Sequence, residues 1–295
     1  MNKAKVLVLG GLRDEALTDL KNICQVDIGP VGHRPEDDRE WVLDHIAEYD
    51  GVIVAKMAFD REMIDAAKNL KIISTYGVGF DHVDVEYAKE KGIVVSNCPK
   101  SVLRPTAELA WTMIMASARR LHYYDDALRE GVFLNADEYD NQGYSIEGKT
   151  LGIVGMGRIG QQVARFAKAF GMTIIYHNRH QVDDQIAAEL DAKYVDLDTL
   201  AKEADFVSLH TPATAETYHL VNSDFLKKMK DTAFLINVAR GSLIDGDALI
   251  AALKNGSIAG AALDVFENEP HPRPELVEMD NVIMTPCLLY TSDAA

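Results

Sequence analysis

The sequence predicts an α/β protein made of two doubly wound parallel-sheet domains, and three observations carry that expectation. Short β-rich apolar runs alternate with amphipathic stretches along nearly the whole chain, the pattern of βαβ units. The length of 295 residues exceeds one core at about 100–200 residues per domain, so two domains are expected. The alternation also falls into two series, parted by a single long helical stretch.

In the first series the expected strands are "VLVL" (6–9), "VDI" (26–28), "GVIVA" (51–55), "KIIST" (71–75) and "IVVS" (93–96). Between them lie four expected helices, "RDEALTDLKN", "EDDREWVLDHIAEY", "REMIDAAKN" and "VDVEYAKEKG". The dividing stretch "SVLRPTAELAWTMIMASARRLHYYDDALREG" reads as one helix, apolar at helical spacing through Leu109, Met113, Ala116 and Leu121, with Gly131 as its stop. Its Trp and Met stripe reads as core packing. The second series is "GKTLGIVG", "TIIYHN", "DFVSLH", "AFLINVA", "AGAALDVF" and "NVIMTP", again a parallel sheet with helices on both faces.

Composition narrows the function. A formal net charge of −16 argues against nucleic acid as partner, because phosphate backbones select basic faces. No apolar run approaches the roughly 20 residues that span a bilayer, and "MNKAKVLVLGGLRDEAL" turns polar too soon for a signal peptide. A cytoplasmic protein without membrane contact is expected. Cys24, Cys98 and Cys287 are widely spaced and form no CxxC pair, so no disulfide framework and no metal site is expected, and Cys24 and Cys98 read as buried free thiols.

The strongest motif is "TLGIVGMGRIGQQVARFAKAFGM", where Gly155-x-Gly157-x-x-Gly160 follows an apolar strand and opens an amphipathic helix. Gly155 permits the tight turn, Gly157 lets the backbone approach a pyrophosphate, and Gly160 lets helix and strand pack closely. A second strand, "MTIIYHN", stands where the dinucleotide fingerprint needs it. At its end an NAD site carries an acid for the ribose 2′-hydroxyl, about 20 residues on. Here Asn178 takes that place and Arg179 follows. Repulsion against a 2′-phosphate is missing and a cationic fork is present, so NADP is the expected cofactor and NAD the second choice.

Several further stretches, "YGVGFDHVD", "TAELAWTMIMASAR", "GKTLGIVGMGRIGQQVA", "LHTPATAET", "INVARGSLID" and "GAALDVFENEP", occur in one order. On them the chain resembles the D-isomer-specific 2-hydroxyacid dehydrogenases over residues 1 to about 286, in particular the glyoxylate/hydroxypyruvate reductase branch. The resemblance implies two Rossmann-like domains, a flavodoxin-like substrate domain over 1–99, completed by a C-terminal segment, and an NAD(P)-binding domain over 100–286, with the active site in the cleft between them. It implies a small 2-oxo or 2-hydroxy acid as substrate. Homodimers form in the family through the coenzyme domain and the long helix, so "SVLRPTAELAWTMIMASARR" is the expected dimer face.

Residue by residue, the resemblance makes Arg240 the group that grips the substrate carboxylate and carbonyl. A planar, permanently charged fork suits an α-keto acid as hydride arrives. Glu269 matches the carboxylate that raises the pKa of a catalytic His, and Asp264 the residue near the nicotinamide carboxamide. Backbone N–H groups of Val78 and Gly79 match the carboxylate-binding turn, and Lys56 adds positive charge on the same side. Thr106, Arg158, Ile159, Thr211, Pro212 and Ala239 are carried over as further dinucleotide contacts.

The catalytic His itself is expected directly after "NVIMTP", and Cys287 stands there. A thiol with a reference pKa of about 8.5 is a poor substitute for an imidazolium poised near neutrality. Residues 287–295, "CLLYTSDAA", have neither helical period nor strand alternation, and their reverse translation resembles a transposase sequencing adapter. A reading frame cut at Pro286 with a non-native tail is the expectation, and impaired turnover goes with it. Two alternatives stay open: NAD-dependent oxidation of 3-phosphoglycerate or D-lactate, and an inactive dinucleotide-sensing binding protein.

Overall fold

A sheet with helices on both faces has no solvent side, so its strands read as unbroken apolar runs. Strand β1 (Lys5–Leu9) is of this kind, with Val6, Leu7, Val8 and Leu9 all buried. A computed structural model of the chain describes residues 3–30, 35–55, 57–135, 138 and 142–288. The chain divides into two compact units, Met1–Val102 and Leu103–Ala295.

In the first unit β1 is flanked by β2 (Gln25–Ile28) and β3 (Gly51–Val54), and β4 (Ile72–Thr75) and β5 (Val94–Ser96) extend the sheet. The order is β2-β1-β3-β4-β5 with every pairing parallel, the flavodoxin-type order. Helices α1 (Thr18–Ile23), α2 (Pro35–His45), α3 (Arg61–Ala66) and α4 (Val85–Glu90) make the crossovers. Asp60 and Asp84 start α3 and α4 by accepting the N–H groups of Met63 and Tyr87 at 3.1 and 3.0 Å. Leu7, Val52, Ile73, Val42, Ile46 and Met63 close one apolar core.

The second unit holds α5 (Leu103–Ala118), α6 (Leu121–Arg129), β6 (Thr150–Val154), α7 (Arg158–Ala169), β7 (Thr173–His177), α8 (Asp184–Leu190), β8 (Ala192–Tyr194), α9 (Leu197–Glu203) and β9 (Phe206–Leu209). It continues with α10 (Ser223–Leu226), β10 (Phe234–Asn237), α11 (Gly246–Lys254), β11 (Gly260–Leu263), α12 (Pro274–Val277) and β12 (Val282–Met284). All pairings of the sheet β12-β11-β10-β9-β6-β7-β8 are parallel. Alternate strand residues feed two cores. Ile153, Ile174, Tyr176, Phe206 and Ile236 pack on one face with Ala110, Ile114 and Val163, while Val154, Ile175, Val207 and Leu235 pack on the other with Leu200, Phe225 and Leu249.

Three expectations need correction. The stretch 101–131 is not one helix: it ends at Ala118 and restarts at Leu121, with Arg120 at a left-handed φ of 50°. The cause is the chain returning at Gly143–Tyr144. The Tyr144 N–H donates to the Ala118 carbonyl at 2.7 Å, and a Cβ on Gly143 would sit 2.7 Å from that same oxygen. The buried stripe is consequently Thr106, Ala107, Ala110, Met113, Ile114, Ser117 and Ala118, whereas Leu121 is 62% exposed. Strand β8 escapes the sequence reading because it is a three-residue edge strand following Asp191 in a left-handed conformation. Cys24 and Cys98 are half-buried rather than buried, since both lie where an element gives way to loop.

Candidate functional site

The second sheet reverses its winding between β6 and β9, and in open α/β sheets ligands lie outside the strand carboxyl ends at such a point. Gly155 leaves β6 there with φ 101°. A Cβ on it would sit 2.6 Å from the His210 carbonyl carbon and 2.7 Å from the Thr211 nitrogen, so only glycine fits. Gly160 packs against the Gly155 carbonyl. Gly157 differs, because a Cβ there would meet nothing within 4 Å: the space beside it is open.

Gly157 is also the N-cap of the 12-residue α7, and it supplies no capping side chain. By contrast α3, α4, α9 and α11 are each capped by an aspartate that accepts a first-turn N–H. The first-turn amides of α7, those of Arg158, Ile159 and Gly160, keep the positive end of the helix dipole for an outside anion. Open space, uncapped amides and a switch point together fit a dinucleotide pyrophosphate.

At the end of β7, Asn178 accepts the Met156 N–H on its Oδ1 at 2.6 Å, which ties the glycine loop to the neighbouring strand. Tyr194 donates its hydroxyl to the Asn178 carbonyl at 3.2 Å. Arg179 is exposed. A hydrogen bond from Thr214 holds the Glu216 carboxyl below its usual range, and the Arg179 charge adds a smaller contribution.

His210 directly follows β9, beside Gly155. Its Nε2 lies 2.8 Å from the Ser208 hydroxyl, and its buried Nδ1 has no partner among the described residues. The residue as a whole is half-buried, yet the ring nitrogen is sealed from water, and burial pushes the pKa down to about 4. The imidazole is therefore neutral at pH 7. Thr211 follows, and the Pro212 carbonyl accepts the Thr217 hydroxyl at 2.8 Å.

The loops after β10, β11 and β12 meet at the same edge. Asn237, fully buried, accepts the Ala239 N–H at 3.0 Å and donates to the Arg240 carbonyl at 2.8 Å, folding residues 237–240 into a turn. Arg240 is half-buried and donates from Nη1 to the Ala239 carbonyl at 2.7 Å. Gly241 runs so close to the Phe266–Glu267 backbone that no Cβ fits. Glu269 is exposed and accepts the Phe266 N–H at 3.1 Å. Asp264, 1% exposed, accepts the Thr285 hydroxyl at 2.6 Å and the Leu288 N–H at 2.8 Å. Its carbonyl takes the Cys287 N–H at 3.0 Å, with Cys287 at φ 57°.

Thr106 is buried on α5, and Ala239 is half-buried beside Arg240. In the first unit the Gly77 carbonyl accepts the Cys98 N–H at 3.0 Å and the Val78 carbonyl accepts Asn97 Nδ2 at 2.7 Å. Because C=O and N–H of a trans peptide point oppositely, the amides of Val78 and Gly79 face away from residues 97–98. Lys56 and residues 289–295 lie outside the described residues. No group of His, Cys, Asp or Glu suited to a metal ion occurs among the described residues, and no described helix is long and apolar enough to cross a membrane. His210 and Asn237 are missing from the sequence-derived site. The signal for both was adjacency, since His210 directly precedes Thr211 and Asn237 lies two residues before Ala239.

The family profile described as D-isomer specific 2-hydroxyacid dehydrogenase, NAD binding domain, matches residues 111–288. A glyoxylate reductase of Thermococcus onnurineus is 41% identical over 289 residues, covering 96% of this chain and 86% of its own. A crystal structure of a Thermus thermophilus protein aligns with TM-score 0.89 at 38% identity, covering 98% of this chain and 90% of that one. A glyoxylate reductase structure from Paecilomyes thermophila aligns with TM-score 0.87 at 34% identity, covering 100% and 91%. The chain thus belongs to the D-isomer specific 2-hydroxyacid dehydrogenase family and is an oxidoreductase that moves a hydride between a nicotinamide dinucleotide and a 2-oxo or 2-hydroxy acid.

Proposed function

We propose that the protein reduces glyoxylate, with hydroxypyruvate as the next substrate, and prefers NADPH to NADH. The observation that carries the cofactor preference is Asn178: the position of a ribose-binding acid holds a carboxamide committed to Met156, and the exposed Arg179 follows it. A 2′-phosphate would meet a guanidinium and no carboxylate at that position. The glyoxylate assignment draws on the 41% identity to the Thermococcus onnurineus glyoxylate reductase.

In this reading the first-turn amides of α7 hold the pyrophosphate, with Gly157 leaving it room. Thr106, Thr211, Pro212 and Ala239 line the dinucleotide, and Asp264 faces its carboxamide. The bound cofactor supplies the hydride. Arg240 grips the substrate carboxylate and polarises the ketone. Cys287 takes the place of the proton donor, with Glu269 as its orienting carboxylate. A neutral thiol gives Glu269 no cation to hold, so slow turnover is expected.

The first unit is the substrate domain and the second the coenzyme domain of a cytoplasmic homodimer. The groove along α5, lined by Trp111, Met115, Arg119 and Tyr124, supports pairing there. Steady-state assays with glyoxylate and either NADPH or NADH test the reading. A kcat/KM for NADH equal to or above that for NADPH overturns the preference, and a rate for D-lactate oxidation above that for glyoxylate reduction overturns the substrate.

A further inference from the structure

Three backbone segments pack together behind Arg240 and Glu269. The His219 N–H donates to the Ser242 carbonyl at 2.9 Å, the Val221 N–H to the Leu243 carbonyl at 2.9 Å, and the Asp245 N–H returns to the Val221 carbonyl at 3.0 Å. Residues 219–221 are thereby a splint along the loop that begins at Arg240. From that splint the His219 ring reaches a third segment: its Nε2 lies 2.6 Å from Glu267 Oε1. Its other nitrogen is 4.0 Å from Asp245 Oδ2. Asp245 is itself fixed as the N-cap of α11, its Oδ1 accepting the Ala248 N–H at 3.1 Å.

We propose that His219 is a positioning residue, whose imidazole clasps the loop carrying Glu269 to the loop carrying Arg240. The assignment rests on the site reading given above for those two residues. An ionised carboxylate only accepts, so the 2.6 Å contact places the ring hydrogen on Nε2. The contact is only partly shielded from solvent, with side-chain exposures of 28% for His219 and 30% for Glu267, and Tyr218 stacks on the ring at 3.9 Å. His219 holds a left-handed φ of 50°, a conformation His adopts more readily than most non-glycine residues. Gly241 lets the two loop backbones touch, but touching does not fix their register; the His219–Glu267 bond does. Glu269 sits two residues beyond Glu267, with its carboxylate on the Phe266 N–H, so a shift of this loop moves Glu269 as a unit.

The test uses the full chain with His219→Asn, His219→Gln, Glu267→Ala and Glu267→Gln. Asn tolerates the left-handed backbone but is too short to reach Glu267, whereas Gln can bring an N–H to the Nε2 position. Amide hydrogen exchange at Asp245 and Phe266 reads the clasp directly. His219→Asn and Glu267→Ala should each speed it by about tenfold, with the two glutamine variants near the parent. The same two broken variants should lose about tenfold or more in kcat/KM for the keto acid while the Kd for NADPH stays within about twofold, because the glycine loop is untouched.

Unchanged exchange at Phe266 in His219→Asn overturns the clasp. Faster exchange with unchanged kcat/KM overturns the positioning role, and so does a loss of kcat/KM that His219→Gln fails to restore. Failure of the underlying site reading shows up elsewhere, as parent-like turnover of Arg240→Lys.

Discussion

Asn178 accepts the Met156 N–H on its Oδ1 at 2.6 Å, so the residue in the ribose-acid position also anchors the glycine loop. In the proposed reading one side chain therefore joins loop geometry to cofactor choice. Replacing Asn178 by Asp keeps an acceptor for Met156 and adds a charge. In Asn178→Asp, kcat/KM with NADPH should fall about tenfold or more, near 1.4 kcal/mol, while NADH use is kept or improved. Equal loss with both cofactors would show that the loop anchor is all the residue does.

Arg179→Ala asks the complementary question. The exposed guanidinium has weak electrostatic work in the protein, through Glu216. Its removal should cost NADPH use about tenfold and leave NADH use and thermal stability nearly unchanged. Parallel losses for the two cofactors in steady-state assays would assign it to the fold.

Arg240→Lys retains charge and loses the fork. The Asn237 carboxamide and Gly241 hold the backbone on either side, so the turn should survive the change. We expect kcat/KM for glyoxylate to fall about a hundredfold or more, because a point ammonium cannot grip a carboxylate and polarise a ketone together. A value within a few-fold of the parent removes Arg240 from the proposed role.

His210 gives the folded state a pH signature. Its pKa is lowered from 6.5 to about 4 by burial, so between those values the unfolded chain binds a proton that the folded chain does not. Stability from this group is present above pH 6.5 and is lost as pH falls toward 4, up to about 3 kcal/mol in all. Denaturant melts of the parent and His210→Gln from pH 7 to 4 should show the parent slope steeper by as much as about one proton. Parallel slopes would mean the ring is protonated in the fold.

Much of this was legible in the sequence because strand burial and glycine geometry are local. The run from Val6 to Leu9 and the spacing of Gly155, Gly157 and Gly160 each carry their own physical reason. The helix break at Arg120 was not legible, since it depends on Gly143–Tyr144 returning to the Ala118 carbonyl from more than 20 residues away. Asn178 was legible as a missing acid but not as a loop anchor. His219 and Glu267, 48 residues apart, gave no local signal at all, because nothing in "TYHLVN" points at "ENEP".

Cys287 offers the last test. Its backbone is already fixed at the end of β12, with its N–H on the Asp264 carbonyl and φ at 57°, a conformation His tolerates better than most residues. Cys287→His puts an imidazole on that backbone. A well-placed general acid contributes about 10²–10⁴-fold, and an incompletely aligned one less, so a rise in kcat of about tenfold or more is expected. The gain should also change the pH profile. A protonated imidazole donates and a neutral one does not, so the added rate of keto-acid reduction should fall as pH rises through the new group's pKa, a limb the thiol lacks near neutrality. If kcat and its pH profile stay as in the parent while NADPH binding is intact, position 287 does not deliver the proton.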